Sequence, residues 1–184
     1  MRPRENDLSI LPEQFIVFDL ETTGLDSRKH EIIEIGAIRV NRDGQNHETF
    51  ETLAKPTGKI PTKITSITGI TNDMVHADGV TIAEALSDFK LFAGNLPMIA
   101  FNSSFDEAFL QASCRSVSME QFSNPMYCAL QLSRRAWPGR KSYRLSELAS
   151  DGNLALDSEH RALGDCKRTM IVFAAAASTL GSYR

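Results

Sequence analysis

The amino-acid sequence predicts one α/β domain, built on a mixed β-sheet with helices packed against it. Runs with strand periodicity fill the first third of the chain, and helical periodicity alternates with a further strand after that. The 184 residues suffice for one domain with a sizeable core, and no repeat or Pro/Gly/Ser-rich linker divides them. We assign residues 1–13 to an N-terminal tail and residues 14–184 to a single domain.

Three strands are predicted in the first part of the chain. Phe15–Phe18 is a continuous apolar run, as in a central strand that is buried on both faces. The isoleucine-rich EIIEIGAIRV at 31–40 predicts a second strand, and HETFETL at 47–53 predicts a third. Asp43-Gly44 between them is a hairpin signal.

The remaining segments predict helices around a fourth strand. Apolar residues recur at helical spacing after Thr81, which is the expected N-cap, and Glu84 completes a capping box. PMIAF at 97–101 predicts the fourth strand, and a helix follows in which Phe105 and Phe109 share a face. A last helix carries one apolar stripe, formed by Leu163, Cys166, Met170, Phe173, Ala177 and Leu180.

Composition and charge exclude several classes of protein. A formal charge of −3 argues against a uniformly basic protein that coats nucleic acid, although a local basic groove is compatible with it. Cys114, Cys128 and Cys166 are far apart and form no Cys-x-x-Cys pair, which argues against a disulfide framework or a zinc site. The first residues lack the apolar stretch of a signal peptide, and no apolar run is long enough to span a bilayer. We therefore expect a cytoplasmic protein with no membrane partner.

Four acidic residues are predicted to converge on one place. Asp19 and Glu21 follow the first apolar run and point the same way if the strand continues that far. Asp106 falls in the first turn of the helix after the fourth strand, and Asp165 falls early in the last helix. Such carboxylates repel one another unless protons or cations compensate. Mg²⁺ or Mn²⁺ suits these ligands, and two such ions bridged by carboxylates form the site used on phosphodiesters.

His160 is the predicted general base. It precedes Asp165 by five residues, which turn through about 500° on a regular helix, so the two side chains would not share a helical face. We place His160 in the loop before the last helix, from which it could reach the same cavity. There it would take a proton from metal-bound water near neutral pH.

At these residues the sequence resembles the DnaQ-like (DEDDh) 3′–5′ exonuclease family. FDLETTG at 18–24, NSSFD at 102–106 and HRALGD at 160–165 are similar to its three motifs and occur in the same order. The similarity extends over roughly residues 15–180. It implies a ribonuclease H-like fold with a mixed five-stranded sheet flanked by helices. It also implies two Mg²⁺ or Mn²⁺ ions held by Asp19, Glu21, Asp106 and Asp165, with His160 as the base.

The resemblance also implies substrate contacts. The backbone near Thr22 and Thr23 would hold the 3′-OH of the terminal nucleotide, and Leu25 would wedge beside the last base. Asn102 belongs to the second motif, and Arg140 belongs to a basic segment; both complete the predicted substrate-binding set.

Two further features have more than one interpretation. The basic segment RRAWPGRKSYR at 134–144 could contact phosphates and stack bases, and a solvated loop whose Trp137 packs into the core is an equal alternative. Glu34 stands among isoleucines and could line the acidic site. We favour for it a sheet-edge or partly exposed strand position.

The predicted activity is metal-dependent 3′–5′ hydrolysis of single-stranded DNA or frayed 3′ ends, releasing nucleoside 5′-monophosphates in proofreading, repair or processing. Phosphate contacts carry no base information, so little sequence preference is expected. An exoribonuclease of the same family is the alternative in substrate, and a non-catalytic nucleic-acid-binding module is the alternative in class. A mononucleotide-binding domain is disfavoured because no Gly-rich loop follows the first strand. A DNA polymerase is a candidate partner; the lack of an evident binding tail favours a stand-alone enzyme.

Overall fold

The computed structural model describes residues 11–44, 46–151 and 161–181 of the protein. The strands are β1 (Gln14–Thr22), β2 (Ile32–Asn41), β3 (Glu48–Leu53), β4 (Met98–Ala100) and β5 (Met126–Cys128). The helices are α1 (Thr62–Thr68), α2 (Asn72–Ala77), α3 (Ile82–Ala93), α4 (Ser103–Ser116), α5 (Ala129–Ala136), α6 (Leu145–Asp151) and α7 (Ala162–Gly181).

The five strands form one mixed sheet in the order β3-β2-β1-β4-β5. The central strand β1 is antiparallel to β2 and parallel to β4, and β3 and β5 extend the sheet on either side. The antiparallel pairing of β2 with β3 agrees with the hairpin signal between them. The predicted α/β class with a mixed five-stranded sheet is therefore confirmed.

β1 divides the core into two layers. Ile16 and Phe18 pack with α3 and α4 on one face of the sheet, whereas Val17 packs with α5 and α7 on the other. All three side chains are fully buried. Since strand side chains alternate between faces, Asp19 and Glu21 continue the row that Val17 occupies on the α7 side.

The helix boundaries follow local signals where the helices are long. Thr81 Oγ1 accepts the amide of Glu84 at 3.2 Å, and the Glu84 carboxylate accepts the amide of Thr81 at 2.9 Å, so the predicted capping box caps α3. The elements that we did not locate from the sequence are β5, α1, α2, α5 and α6, which have three to eight residues each. Elements this short depend on tertiary packing more than on their own periodicity.

Residues 11–13 pack against the domain. Leu11 is 7% exposed, and its carbonyl accepts a hydrogen bond from Arg42 Nη1 at 2.8 Å. The amide of Arg42 donates to the Glu13 carbonyl at 2.9 Å. Residues 1–10 of the predicted tail lie outside the described residues, and the boundary at residue 13 stays a prediction.

Cys114, Cys128 and Cys166 are free thiols, of which the first and last are buried. Within the described ranges, none of the helices combines the length and the apolar composition that crossing a membrane requires.

Gly36 of β2 allows α7 to approach the sheet closely. A Cβ at this position would lie 2.5 Å from the amide nitrogen of Leu163 and 2.7 Å from the Cβ of Ala162. The Cys166 thiol donates to the Gly36 carbonyl at 3.2 Å. Gly36 also lies opposite Asp19 in the β1–β2 register, so this contact brings the first turns of α7 next to Asp19.

Gly36→Ala should therefore destabilise the protein, because the added methyl group displaces the start of α7. We expect the free energy of unfolding to fall by about 1–3 kcal/mol, as for other overpacked core positions. Chemical denaturation measures this change. Gly58→Ala is the matched control, because nothing lies within 4 Å of its added Cβ. Equal stabilities of the two variants would contradict the close packing of α7 on β2.

Candidate active site

Two of the predicted acids lie side by side on β1. β1 continues to Thr22, so Asp19 and Glu21 both point to the α7 side of the sheet, as the sequence predicted. In the register with β2, Asp19 lies opposite Gly36 and Glu21 lies opposite Glu34. The register shifts directly after Glu21, and Thr22 opposite Ile32 is the last pair of the two strands. The two carboxylates thus mark the end of the central strand.

α4 contributes the third predicted acid. Asp106 lies in the first turn of α4, as predicted, and is 3% exposed. Its carboxylate accepts hydrogen bonds from its own amide and from that of Leu20. The pairing of β4 with β1 reaches only Val17, so the Leu20 amide lies beyond the end of β4. The short fourth strand therefore leaves room for Asp106 beside Asp19.

α7 contributes the fourth predicted acid. Asp165 is one turn into α7, and its Oδ1 accepts a hydrogen bond from Arg168 Nη1 at 2.7 Å. Ligand atoms of Asp19, Glu21 and Asp165 all lie within 4.8 Å of one another. Asp106 is close enough to raise the pKa of Asp19 by charge repulsion. The structure thus brings together the four acids predicted as metal ligands.

Burial raises the pKa values of three of these acids, Asp19, Glu21 and Asp106. The pKa of Asp19 lies well above its usual value because of burial and the charges of Asp106, Glu21, Asp165 and Glu34. Burial, Asp165 and Glu34 raise the pKa of Glu21 to about 8, against the opposing effect of Arg161. Burial raises the pKa of Asp106 to about 8, although two backbone hydrogen bonds oppose the shift. A divalent cation would replace these protons, and carboxylate oxygens are the ligands that Mg²⁺ and Mn²⁺ favour.

Glu34 corrects one interpretation of the sequence. We favoured a sheet-edge or partly exposed position, but β2 is an interior strand and Glu34 is 0% exposed. It lies opposite Glu21 at the acidic site, and Arg161 donates to it through Nε at 3.0 Å and Nη2 at 2.5 Å. The preference for exposure was wrong because the guanidinium that permits burial is 127 residues away in sequence.

His160, the predicted general base, lies outside the described residues. The next residue, Arg161, is described and binds Glu34 beside the acidic cluster. The role of His160 therefore stays a prediction.

The end of β1 and the loop after it hold three of the predicted substrate-binding residues. Thr22 and Thr23 are each 7% exposed. Thr22 Oγ1 donates to the Gly24 carbonyl at 2.6 Å, and Thr23 Oγ1 accepts from the amide of Glu31 at 3.0 Å. The amide of Thr23 donates to the Glu31 carbonyl at 2.9 Å. Leu25, by contrast, is 84% exposed. A fixed loop therefore presents one apolar side chain to solvent next to the acidic cluster.

The two other predicted substrate contacts lie in different places. Asn102 is exposed at the N-cap of α4, one turn before Asp106, so it borders the cluster. Arg140 binds Asp151 through Nη2 at 2.5 Å and the Ser142 carbonyl through Nε at 3.3 Å. These contacts keep Arg140 at the corner formed by α5, α6 and α7, and its substrate role stays a prediction.

The aromatic residues of the basic segment belong to the fold. Trp137 and Tyr143 pack against the small core cluster of Leu148, Ala149 and Val172. The Tyr143 hydroxyl also donates to the Trp137 carbonyl at 2.6 Å. This packing favours the interpretation of residues 134–144 as a loop anchored in the core.

The sequence reasoning missed three residues that shape the site. Arg161 and Arg168 bind Glu34 and Asp165, and Gly36 admits α7 to the sheet. The i,i+3 spacing of Asp165 and Arg168 is a local signal that could have identified the second pair. The partner of Glu34 and the close approach at Gly36 are long-range contacts without such a signal.

The fold and the acidic cluster define a class of α/β nucleases with a ribonuclease H-like sheet. The profile of the RNase_T family, described as Exonuclease, matches residues 16–173. The chain belongs to this exonuclease family.

Individual relatives agree with the family. The chain is 36% identical over 173 residues to the DNA polymerase III subunit epsilon of Aquifex aeolicus, covering 94% of this chain and 83% of that protein. It is also 36% identical over 157 residues to the PolC-type DNA polymerase III of Clostridium perfringens, covering 85% of this chain but only 11% of the relative.

Solved structures share the fold. Exonuclease X in complex with 5′ overhanging duplex DNA matches with a TM-score of 0.73 and 26% identity, covering 91% of this chain and 93% of that one. Escherichia coli exonuclease I in complex with a dT13 oligonucleotide matches with a TM-score of 0.78 over 94% of this chain and 42% of that one. Its identity is 20%, so it supports the fold alone.

The metal-free protein should lose stability as the pH rises. The pKa of Glu21 is raised from 4.5 to about 8, so between these values the folded state holds protons that the unfolded chain has released. The free energy of unfolding then falls with pH and levels off above the folded pKa. Thermal unfolding in EDTA between about pH 5 and about pH 9 measures the slope.

Asp19→Asn is the diagnostic variant for this pH dependence, because it removes one charge from the cluster. The stability of this variant should fall less steeply with pH than that of the wild type. At pH values above the raised pKa of Glu21, about 8, its Tm in EDTA should be higher than that of the wild type. Asp88→Asn, at an exposed position of α3, should follow the wild type. Parallel slopes for all three proteins would show that the cluster does not hold protons.

Proposed function

We propose that this protein is a metal-dependent 3′–5′ exonuclease that hydrolyses the terminal phosphodiester of single-stranded DNA or of frayed 3′ ends and releases nucleoside 5′-monophosphates. The observation that carries the proposal is the convergence of Asp19, Glu21, Asp106 and Asp165 at the end of β1 in a chain of the exonuclease family. No single one of these acids would support it, because exposed strand-end and helix-end acids are common.

The acidic cluster is suited to a pair of divalent cations. Asp19, Glu21, Asp106 and Asp165 would hold Mg²⁺ or Mn²⁺, since all four offer carboxylate oxygens. Burial raises the pKa values of Asp19, Glu21 and Asp106, and neighbouring carboxylates add to the shift at Asp19 and Glu21. When bound, such ions lower the pKa of a coordinated water and stabilise the charge that develops on the phosphate oxygens.

The protein groups around the cluster would orient the substrate and move the proton. The rigid loop from Thr22 to Leu25 would place the 3′-terminal nucleotide, with the exposed Leu25 side chain against the last base. Asn102 would contact the substrate from the start of α4. His160, the histidine of the third motif, would accept the proton of the attacking water.

DNA is the proposed substrate because the relatives named above are DNA polymerase III proteins or were solved in complex with DNA. Proofreading, repair and end processing are the roles that these names support, and a DNA polymerase is the corresponding candidate partner. A cytoplasmic location fits the free thiols. RNA is the alternative substrate, which the handling of a 2′-OH would decide.

A non-catalytic binding module is the alternative class. A module that only binds nucleic acid gains nothing from acids whose charges repel one another and would also repel phosphates. The raised pKa values of Glu21 and Asp106 are instead typical of sites that carry out chemistry.

Labelled oligonucleotides test the proposed activity. With Mg²⁺ or Mn²⁺, a 5′-labelled single-stranded DNA should shorten stepwise from its 3′ end and yield 5′-monophosphates, and EDTA should stop the reaction. Asp19→Asn should lower kcat by more than about a hundredfold, since loss of a group that only orients a metal ligand already costs about 10- to 100-fold, while Asp88→Asn should be as active as the wild type. Metal-independent binding without cleavage would refute the proposal, and faster cleavage of matched RNA would reassign the substrate.

Leu25→Ala should affect duplex ends more than single strands. The side chain is 84% exposed, so its removal should leave Tm unchanged. If Leu25 packs against the terminal base, the loss of this apolar contact should weaken the bound state by at most about 1.5–3 kcal/mol and raise KM. The effect should be larger on a blunt duplex, where the wedge must separate the terminal pair.

Leu91→Ala is the matched control for this variant, because Leu91 is 78% exposed on α3. Equal kcat/KM for the Leu25 and Leu91 variants on both substrates would remove Leu25 from the substrate-binding set.

A further inference from the structure

Glu34 is a buried carboxylate at the acidic site for which the proposed chemistry has no use. It is 0% exposed and lies directly opposite Glu21 in the β1–β2 register. A buried carboxylate is costly unless it is paired and hydrogen-bonded. A second one beside Glu21 adds to the repulsion that raises the pKa of that residue. Its presence therefore needs a structural reason.

The hydrogen bonds of Glu34 supply that reason. Oε1 accepts from Arg161 Nε at 3.0 Å and from Nη2 at 2.5 Å. Oε2 accepts from Nε at 3.2 Å and from the amide of Ala162 at 2.9 Å. A carboxylate has about four acceptor positions, so these contacts use its capacity. Glu34 is thus committed to protein donors and differs from the four acids that face the cluster.

All of these donors come from the start of α7. The amide of Ala162 is one of the first-turn groups that a helix cannot satisfy internally, and Glu34 satisfies it from a strand. The fork of Arg161 fixes the approach angle, because two parallel contacts restrict rotation. Asp165 follows within the next turn, and its amide donates to the Arg161 carbonyl at 3.0 Å. The position of Asp165 therefore depends on where Arg161 and Ala162 are held.

We propose that Glu34 is a positioning residue which, with Arg161 and the Ala162 amide, forms a latch that fixes the first turn of α7 on β2 and so sets Asp165 opposite Asp19 and Glu21. The effect of the latch on catalysis rests on the proposed function, whereas its effect on α7 does not. Arg161 also reaches Glu51 at 3.3 Å, but this acid is 43% exposed and contributes little to the latch.

Hydrogen exchange measures the latch directly. In Glu34→Gln, the side-chain amide keeps one oxygen acceptor and replaces the other by an NH₂ donor, so either the Arg161 guanidinium or the Ala162 amide loses its acceptor. Amides in the first two turns of α7 should exchange at least about tenfold faster than in the wild type, because local opening becomes easier. Glu48→Gln is the matched control, since Glu48 pairs with Arg39 at 2.6 Å on the same sheet, away from α7. Its exchange in α7 should equal that of the wild type.

Kinetics give the second readout. Loss of a group that orients a metal ligand costs about 10- to 100-fold in metal affinity or activity. Glu34→Gln should therefore lower kcat and raise the Mn²⁺ concentration required for half-maximal stabilisation. The KM for DNA should change little, because the loop from Thr22 to Leu25 is anchored separately. Glu51→Gln should behave like the wild type.

Arg161→Lys covers the case in which Glu34→Gln does not fold. The substitution keeps a positive charge at this position, where the arginine side chain is 33% exposed. The lysine ammonium cannot make the bidentate hydrogen bonds of a guanidinium. It should shift exchange and kcat in the same direction by a smaller factor.

Three results separate the outcomes. Unchanged exchange in α7 for both variants would overturn the latch, whatever the activity. Unchanged exchange with weaker Mn²⁺ binding would also overturn it and make Glu34 a direct ligand. Faster exchange in the two variants, together with a wild-type protein that cleaves no nucleic acid, would uphold the latch and refute the proposed function.

Discussion

Electrostatic repulsion among the carboxylates at the end of β1 is the constraint on which the rest of the site depends. Burial raises the pKa of Asp19, and the charges of Asp106, Glu21, Asp165 and Glu34 raise it further. Such a cluster cannot assemble by itself, so rigid elements must hold it. The buried central strand, the first turn of α4 and the start of α7 each carry one part of it. The packing of these elements must therefore offset the loss of folding free energy that the repulsion causes.

The fold holds the cluster together through close packing of α7 on β2 and through two arginines that pair with only some of the acids. Gly36 lets α7 lie on β2, and Arg161 and Arg168 hold Glu34 and Asp165. These guanidinium groups orient carboxylates, while the repulsion that raises the pKa values of Asp19 and Glu21 persists alongside their burial. A divalent cation requires carboxylate ligands whose charge is not already compensated, and an arginine paired with every acid would have compensated it.

Local periodicity predicted the part of this arrangement that arises within single elements. The alternation of a strand placed Asp19 and Glu21 on one side, and the turn after β4 placed Asp106 at the start of α4. The prediction for Glu34 was wrong because the burial of this residue depends on Arg161, which is 127 residues away in sequence. Short elements such as β5 and α6 were not located, since packing rather than periodicity forms them.

Proton release on metal binding tests the central claim most directly. If the cluster holds protons that a divalent cation displaces, Mn²⁺ binding near neutral pH must release them into the buffer. Titration calorimetry in two buffers of different ionisation enthalpy measures that release. We expect a heat that depends on the buffer, with release that declines above pH 8, the raised pKa of Glu21. Binding without proton release, or no binding of Mn²⁺, would contradict the account.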